Sequence, residues 1–258
     1  MEPITRRRFF YLMAAAVGAG GWAAWPRSVD DPLPTAAPNP IAPAPPSTTV
    51  PSTTTLVTTT TTLPPRVTLE VIERQGWGAR PATAEYGSHT IERLTVHHTA
   101  VVLDSNEQAP GRLRGHQAYH QQQGWPDLAY HFAIDRDGNV FEARPFSAPG
   151  DTFTNYDPAG HFLPVLEGDY NQQQPTDSQL DSLVLLLAWA AGEFGVDPAT
   201  VGGHRDFAAT TCPGDHVYAS IADGSIGARV AALLDSNGVE LHYLRGEAAV
   251  ARVAAIES

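Results

Sequence analysis

The stretch GHRDFAATTCPGD, residues 203–215, holds the single cysteine of a 258-residue chain, eight positions after a histidine. With no second cysteine an internal disulfide is excluded, which leaves Cys212 as a small buried hydrophobe, a reactive thiol or a metal ligand. Upstream, VHHTA supplies two adjacent imidazoles, His97 and His98. Zinc accepts imidazole nitrogen and thiolate together, and a catalytic zinc takes three protein ligands and keeps a fourth position for water. His97 or His98, with His204 and Cys212, therefore form a candidate set by residue type. Spacing does not single it out, because His204 and Cys212 follow no zinc-finger pattern and the chain has ten histidines. Two other uses stay open: an inert buried thiol among surface histidines, and a cysteine hydrolase with Cys212 as nucleophile and a histidine as base. Against the second, TCPGD reads as loop with no helix start behind the thiol to lower its pKa.

The elements that must position these groups are legible in outline. RLTVHH, residues 93–98, is short and centred on Leu, Thr and Val, and predicts a strand with the histidines at its end. YHFAID (130–135), the turn RDGN and VFEA predict a hairpin. Between them SNEQAPGRLRGHQAYHQQQG lacks β-branched residues and predicts a helix with Pro110 in its first turn and Gly124 at its end. The clearest helix covers residues 176–194, where Thr176 and Gln179 make a capping-box pattern and Leu180, Leu183, Val184, Leu187 and Ala191 share a face. Gly195 stops it. TVGGH then predicts a short strand ending at His204, RDFAATTCPGD a loop, and residues 226–234 a last helix. Strands alternating with helices predict an α/β protein, a central mixed β-sheet flanked by helices on both faces. In such sheets strand ends and the loops leaving them carry the chemistry. The fate of GVELHYLRGEAAVARVAAIES (residues 238–258) is left open, an extra strand and helix being one outcome.

The chain opens MEPITRRRFFYLMAAAVGAGGWAAW, three arginines before an apolar run shorter than the roughly 20 residues a bilayer span needs. Residues 1–25 read as a secretory signal, and TRRRFF before a weakly apolar segment resembles the twin-arginine type. Residues 26–65, rich in Pro, Thr, Ala and Ser with almost no charge, read as a disordered linker; extended at about 3.1 Å per residue it would reach on the order of 120 Å. Residues 66–258 suit one compact domain. The formal net charge of −12 excludes nucleic acid as a partner, because phosphates call for a basic face. No internal repeat is present.

Four motifs, in order WGAR (77–80), VHHTA (96–100), YHQQQGWPDLAYHFAIDRDGNVFEAR (119–144) and GHRDFAATTCPGD, resemble those of the zinc-dependent N-acetylmuramoyl-L-alanine amidases, the family of the peptidoglycan recognition proteins and the phage lysozyme-type amidases. The resemblance spans nearly the whole folded part. It implies the peptidoglycan recognition protein-like amidase fold, zinc held by His97, His204 and Cys212, and His98 in a supporting or structural place. It puts Tyr130 beside the metal-bound water and Thr210 near the scissile carbonyl. A physical case for Tyr130 stands apart from the resemblance: on an alternating strand it shares a face with Phe132 and Ile134, and a phenol at the strand's start can donate to oxyanion charge. Thr210 has the plainer alternative of a loop hydroxyl bonding its own backbone. His120 matches a family histidine but sits on a helix face, Glu142 could serve as a base or be a solvated strand carboxylate, and Trp125 could stack on a sugar or pack. The chain departs from the family pattern after the hairpin, where a histidine survives only as His161, displaced. The implied activity is hydrolysis of the amide between N-acetylmuramic acid and L-alanine by an exported zinc enzyme. The implied partner is peptidoglycan, and the chain is expected to be a monomer, extracytoplasmic, and at a membrane only if the signal is uncleaved. Family members that bind peptidoglycan without cutting it typically lack the cysteine, so Cys212 favours the enzyme.

Overall fold

A computed structural model describes residues 65–258. The signal segment and all but the last residue of the linker lie outside the described residues. Among the described residues eight strands form one mixed sheet: β1 (Val67–Ile72), β2 (Arg93–His98), β3 (Phe132–Ile134), β4 (Val140–Glu142), β5 (His161–Phe162), β6 (Pro164–Leu166), β7 (Gly202–Gly203) and β8 (Val239–Leu244). The sheet runs β2-β6-β3-β4-β1-β8, with β5 and β7 also paired to β2. Only β3 and β4, the predicted hairpin, pair antiparallel. From Leu94 to His98 every residue of β2 is buried, as expected of a strand in a parallel region covered on both faces. β5 and β6 hold one register on β2, Arg93 facing His161 and His97 facing Val165, so they are two pieces of a strand interrupted at Leu163. The interruption follows from Pro164, which has no N–H to give the ladder.

One face is covered by α2 (Asp177–Phe194), whose expected capping box is only half formed: Thr176 Oγ1 accepts the Gln179 N–H at 3.1 Å, but the Gln179 side-chain amide donates to the Ile134 carbonyl at 2.9 Å, and Gly195 closes the helix at φ 67°. The predicted apolar stripe is widened by Leu186, Ala188 and Ala190, also buried. The reason is a second neighbour, α4 (Ser225–Asp235), whose Val230 is buried in the same cluster with Phe132, Ile134 and Leu183. The other face is covered by α1 (Ala109–Gln122), with Pro110 in its first turn, and by α5 (Glu247–Ile256). Leu113, Ala249 and Val253 meet Trp77, Phe141 and Val165 there. The central mixed sheet with helices on both faces is thus as expected.

Three expectations need correction. RDFAATTCPGD is not all loop, because His204–Asp206 form a 3-10 turn and an unexpected helix, α3 (Asp215–Ala222), starts at its last residue. Residues 225–235 are not the last helix, since the C-terminal stretch forms β8, parallel to β1, and then α5. Tyr130 does not share a face with Phe132 and Ile134: residues 130 and 131 bend before β3 begins, and Tyr130 packs with Leu128 and Ala133 on the opposite side.

The C-terminal helix is built into the domain. Gly76 lets it approach, since a Cβ there would lie 2.4 Å from that of Ala249. A carboxylate at Val253, 5% exposed against Trp77, would be buried without a partner. Val253→Asp is therefore expected to cost about 3 kcal/mol in a urea titration, and Val250→Asp, on the exposed side of the same helix, less than about 0.5 kcal/mol. Equal effects would mean that α5 does not pack on the core.

Candidate metal centre and its groove

Parallel pairing assembles the centre. Thr95 and Val96 of β2 lie opposite Gly202 and Gly203 of β7, so the next residues, His97 and His204, leave adjacent strands side by side. Their rings are 4.6 Å apart between centroids. The chain then folds back: the Arg205 N–H donates to the Cys212 carbonyl at 2.9 Å, and Pro213 packs so closely on β7 that a Cβ at Gly203 would meet its Cδ at 2.7 Å. Gly214 closes the loop at φ 90°, where a side chain would strike the Tyr170 backbone. Cys212 is left 8% exposed, its Sγ 3.6 Å from His97 Nδ1 and accepting the His98 N–H at 3.4 Å. Helix α3 does begin three residues after the thiol, contrary to expectation, yet the sulfur takes its N–H from β2.

His97, His204 and Cys212 each offer one ligand atom, all within 4.8 Å of one another. Nitrogen and sulfur ligands at about 2.0 and 2.3 Å from one tetrahedral ion stand about 3.6 Å apart, the separation seen between His97 Nδ1 and Cys212 Sγ. Burial, then the neighbouring His204, holds His97 well below the usual imidazole range; burial alone brings His204 to about 4. Both rings are therefore neutral and able to ligate. Their far nitrogens are engaged: His204 Nε2 bonds Thr154 Oγ1 at 2.8 Å, and His97 Nε2 contacts the Tyr156 hydroxyl at 3.4 Å. In the tautomer with the proton on Nε2, each ring donates outward and leaves the Nδ1 lone pair for a metal, the support that ligating histidines ordinarily have. The donor set fits zinc.

Thr154 and Tyr156 had no signal in the sequence, lying in an aperiodic loop 50 and 59 residues from the rings they hold. That loop is the segment where the chain departs from the family pattern. His161, the displaced histidine, is buried away from the centre, bonding Thr95 Oγ1 at 2.8 Å and packing under Tyr156 and Phe207. His98 points elsewhere as well: its Nδ1 accepts the Tyr170 N–H at 3.2 Å, and burial brings it to about 4.

The centre opens on a groove of about 410 Å³. A depression of about 460 Å³ between α2 and β8 carries no histidine or cysteine. Tyr130 and Thr210 both line the groove. The Tyr130 ring is 5.2 Å from that of His97; burial, with Cys212 and Tyr156 nearby, raises its phenol so that it stays a donor. Among the described residues its hydroxyl has no hydrogen-bond partner. Thr210 Oγ1 accepts the Cys212 N–H at 3.2 Å, which leaves its O–H free to point outward. His120 lines the wall, its Nδ1 accepting the Ala129 N–H at 3.2 Å. Trp125 packs on the exposed Phe153, ring centroids 4.2 Å apart and planes tilted by 38°, and so both packs and forms wall. Glu142 lies outside the groove on β4, accepting the Arg74 N–H at 3.1 Å, and cannot reach a substrate there.

Comparison with known proteins accords with this architecture. A family model described as N-acetylmuramoyl-L-alanine amidase matches residues 87–215. Peptidoglycan-recognition protein LB of Drosophila melanogaster is 31% identical over 160 residues, covering 60% of this chain and 68% of the relative. Among solved structures, the tracheal cytotoxin-bound ectodomain complex of peptidoglycan recognition proteins LCa and LCx is 27% identical with a TM-score of 0.54, over 59% of this chain and 95% of the other. The N-acetylmuramoyl-L-alanine amidase LysC from Clostridium intestinale shares the fold at 22% identity and a TM-score of 0.51, over 62% and 97% of the two chains. Matched over half its length by that model and over two thirds of a recognition protein, this chain belongs to the N-acetylmuramoyl-L-alanine amidase family.

Proposed function

We propose that the protein is an active, zinc-dependent amidase that cleaves the bond between N-acetylmuramic acid and L-alanine in peptidoglycan. The observation that carries this reading is the cluster of His97, His204 and Cys212 at the floor of an open groove. Zinc bound there would supply Lewis acidity and a water whose pKa is lowered towards about 7. The chain's own residues do the rest. Thr154 and Tyr156 fix the imidazoles, and the His98 N–H supports the sulfur as a thiolate. Tyr130 donates its hydroxyl to the oxygen of the scissile carbonyl as negative charge gathers there, with Thr210 as a second donor from the facing loop. Trp125 and Phe153 wall the groove with apolar surface for the substrate. The substrate lies outside the cytoplasm, which fits the arginine-led signal of residues 1–25.

A cysteine hydrolase fits less well. Burial pushes the Cys212 thiol up to about 12, while its neighbour His97 stays neutral, so neither the thiolate nor a charged partner forms unaided. Several relatives are named for recognition of peptidoglycan, which keeps a purely binding role as the second reading. Purified protein is expected to carry about one zinc per chain and to release new amino termini from insoluble peptidoglycan, a release that chelation stops and zinc restores. Zinc-loaded protein that sediments with peptidoglycan but releases none would be a recognition module.

A further inference from the structure

Glu167 interrupts the apolar run FLPVL just after β6. Its side chain is 2% exposed, and neither carboxylate oxygen has a hydrogen-bond partner. His116 of α1 faces it: its Nε2, also without a hydrogen-bond partner among the described residues, lies 3.5 Å from Glu167 Oε2. A buried carboxylate without a partner is costly enough to need a reason. These atoms border a chamber of about 40 Å³, lined also by Thr99, His120 and Tyr130 and large enough for a water.

The chamber lies directly behind the groove: Thr99, His116, His120 and Tyr130 line both. His116 thus turns Nε2 to the buried carboxylate, while among the described residues its Nδ1 has no hydrogen-bond partner and its ring borders the groove. A carboxylate behind an imidazole that faces a reaction site is the arrangement that orients a histidine for proton transfer. No arginine or lysine lines the groove, and the chain contains no lysine at all. Four groove imidazoles, those of His97, His98, His120 and His204, are held low by burial. For His116 burial also opposes the proton, but the Glu167 carboxylate outweighs it and the balance is raised.

We propose that His116 is the proton donor to the amine leaving group and that Glu167 is the residue that positions and charges it. The proposal rests on the amidase reading. As the amide C–N bond breaks, its electron pair passes to nitrogen and the His116 Nδ1 proton follows. The oxygen of the attacking water bonds the carbonyl carbon, and the proton that water sheds restores the imidazolium. One water is consumed, one carboxyl and one amine are formed, and the pair ends as it began.

The test uses the full zinc-loaded chain, with Glu167→Gln, His116→Gln and the double replacement His116→Leu with Glu167→Leu, each checked for zinc content and melting temperature. The double variant removes both polar groups together, so it is expected to fold. The first readout is the NMR titration of the His116 ring, which is faced by Arg112 and His120 from α1, by Glu167 beyond β6 and by Tyr130 ahead of β3. In Glu167→Gln it moves to lower pH, because the negative charge that favours the imidazolium is gone. Turnover needs His116 protonated, so the fall of kcat at high pH moves down with it, with KM unchanged. His116→Gln loses about 10²-fold in kcat, and adding Glu167→Gln to it costs little more, since the two act as one unit. A titration unmoved by Glu167→Gln overturns the pairing, and His116→Gln within twofold of the parent overturns the donor role. A zinc-loaded parent inert on peptidoglycan overturns the amidase reading and the donor role together, while the titration still decides the pairing.

Discussion

Cys212→Ser is expected to abolish hydrolysis of peptidoglycan while leaving binding to it largely intact. The substitution exchanges a soft thiolate for a hydroxyl, a poor zinc ligand, at the position 3.6 Å from His97 Nδ1. Two imidazoles alone leave the ion weakly held, so zinc affinity should fall steeply. The fold should tolerate the change, because serine is nearly the shape of cysteine and its oxygen can accept the His98 N–H that the sulfur now accepts. Metal-free parent and variant should therefore melt together, and only the parent should gain stability when zinc is added, as linkage requires for a ligand that binds the folded state alone. The measurement pairs sedimentation with insoluble peptidoglycan against release of amino termini, before and after exhaustive chelation. Cleavage by the chelated variant would remove zinc from the chemistry. Loss of binding along with cleavage would show that the loop of residues 205–214 shapes the groove as well as supplying the ligand.

Tyr130→Phe should lower kcat by about 10²-fold, the scale of one oxyanion donor, with zinc content and melting temperature unchanged. The structure separates the two roles of this side chain. Its ring packs beside His97 and His120, contacts that phenylalanine preserves. Its hydroxyl bonds no protein group, so removing it leaves no buried partner unsatisfied. A stability loss without a kinetic one would return Tyr130 to the core. Full turnover in the phenylalanine variant would leave oxyanion stabilisation to Thr210, whose hydroxyl accepts the Cys212 N–H and keeps its own proton for the groove.

Much of this was legible in the chain itself. The N-cap at Thr176, the hairpin at residues 130–143 and the helix behind Pro110 depend on contacts within a few residues, and local signals are strong where the partners are near. Helix α3 escaped because it is short and follows a Pro-Gly pair. β1 and the pieces β5 and β6 were not singled out, although Glu167, a lone acid in an apolar run, was a visible mark of something buried and polar.

What the sequence by itself determined is the supply of chemistry: imidazoles, one thiol and a tyrosine just ahead of a strand. The tertiary structure decided which of two adjacent histidines stands with His204 and Cys212, because side chains alternate along β2 and the register of β2 with β7 sets His97, not His98, beside His204. It also decided that Thr154 and Tyr156 hold the rings and that Glu167 stands behind His116. The partners of these contacts lie 50, 59 and 51 residues apart in the chain (the last being 167 − 116), and Cys212 lies 115 from His97. At such separations no local periodicity links them, and only strand register and loop packing bring them within bonding distance.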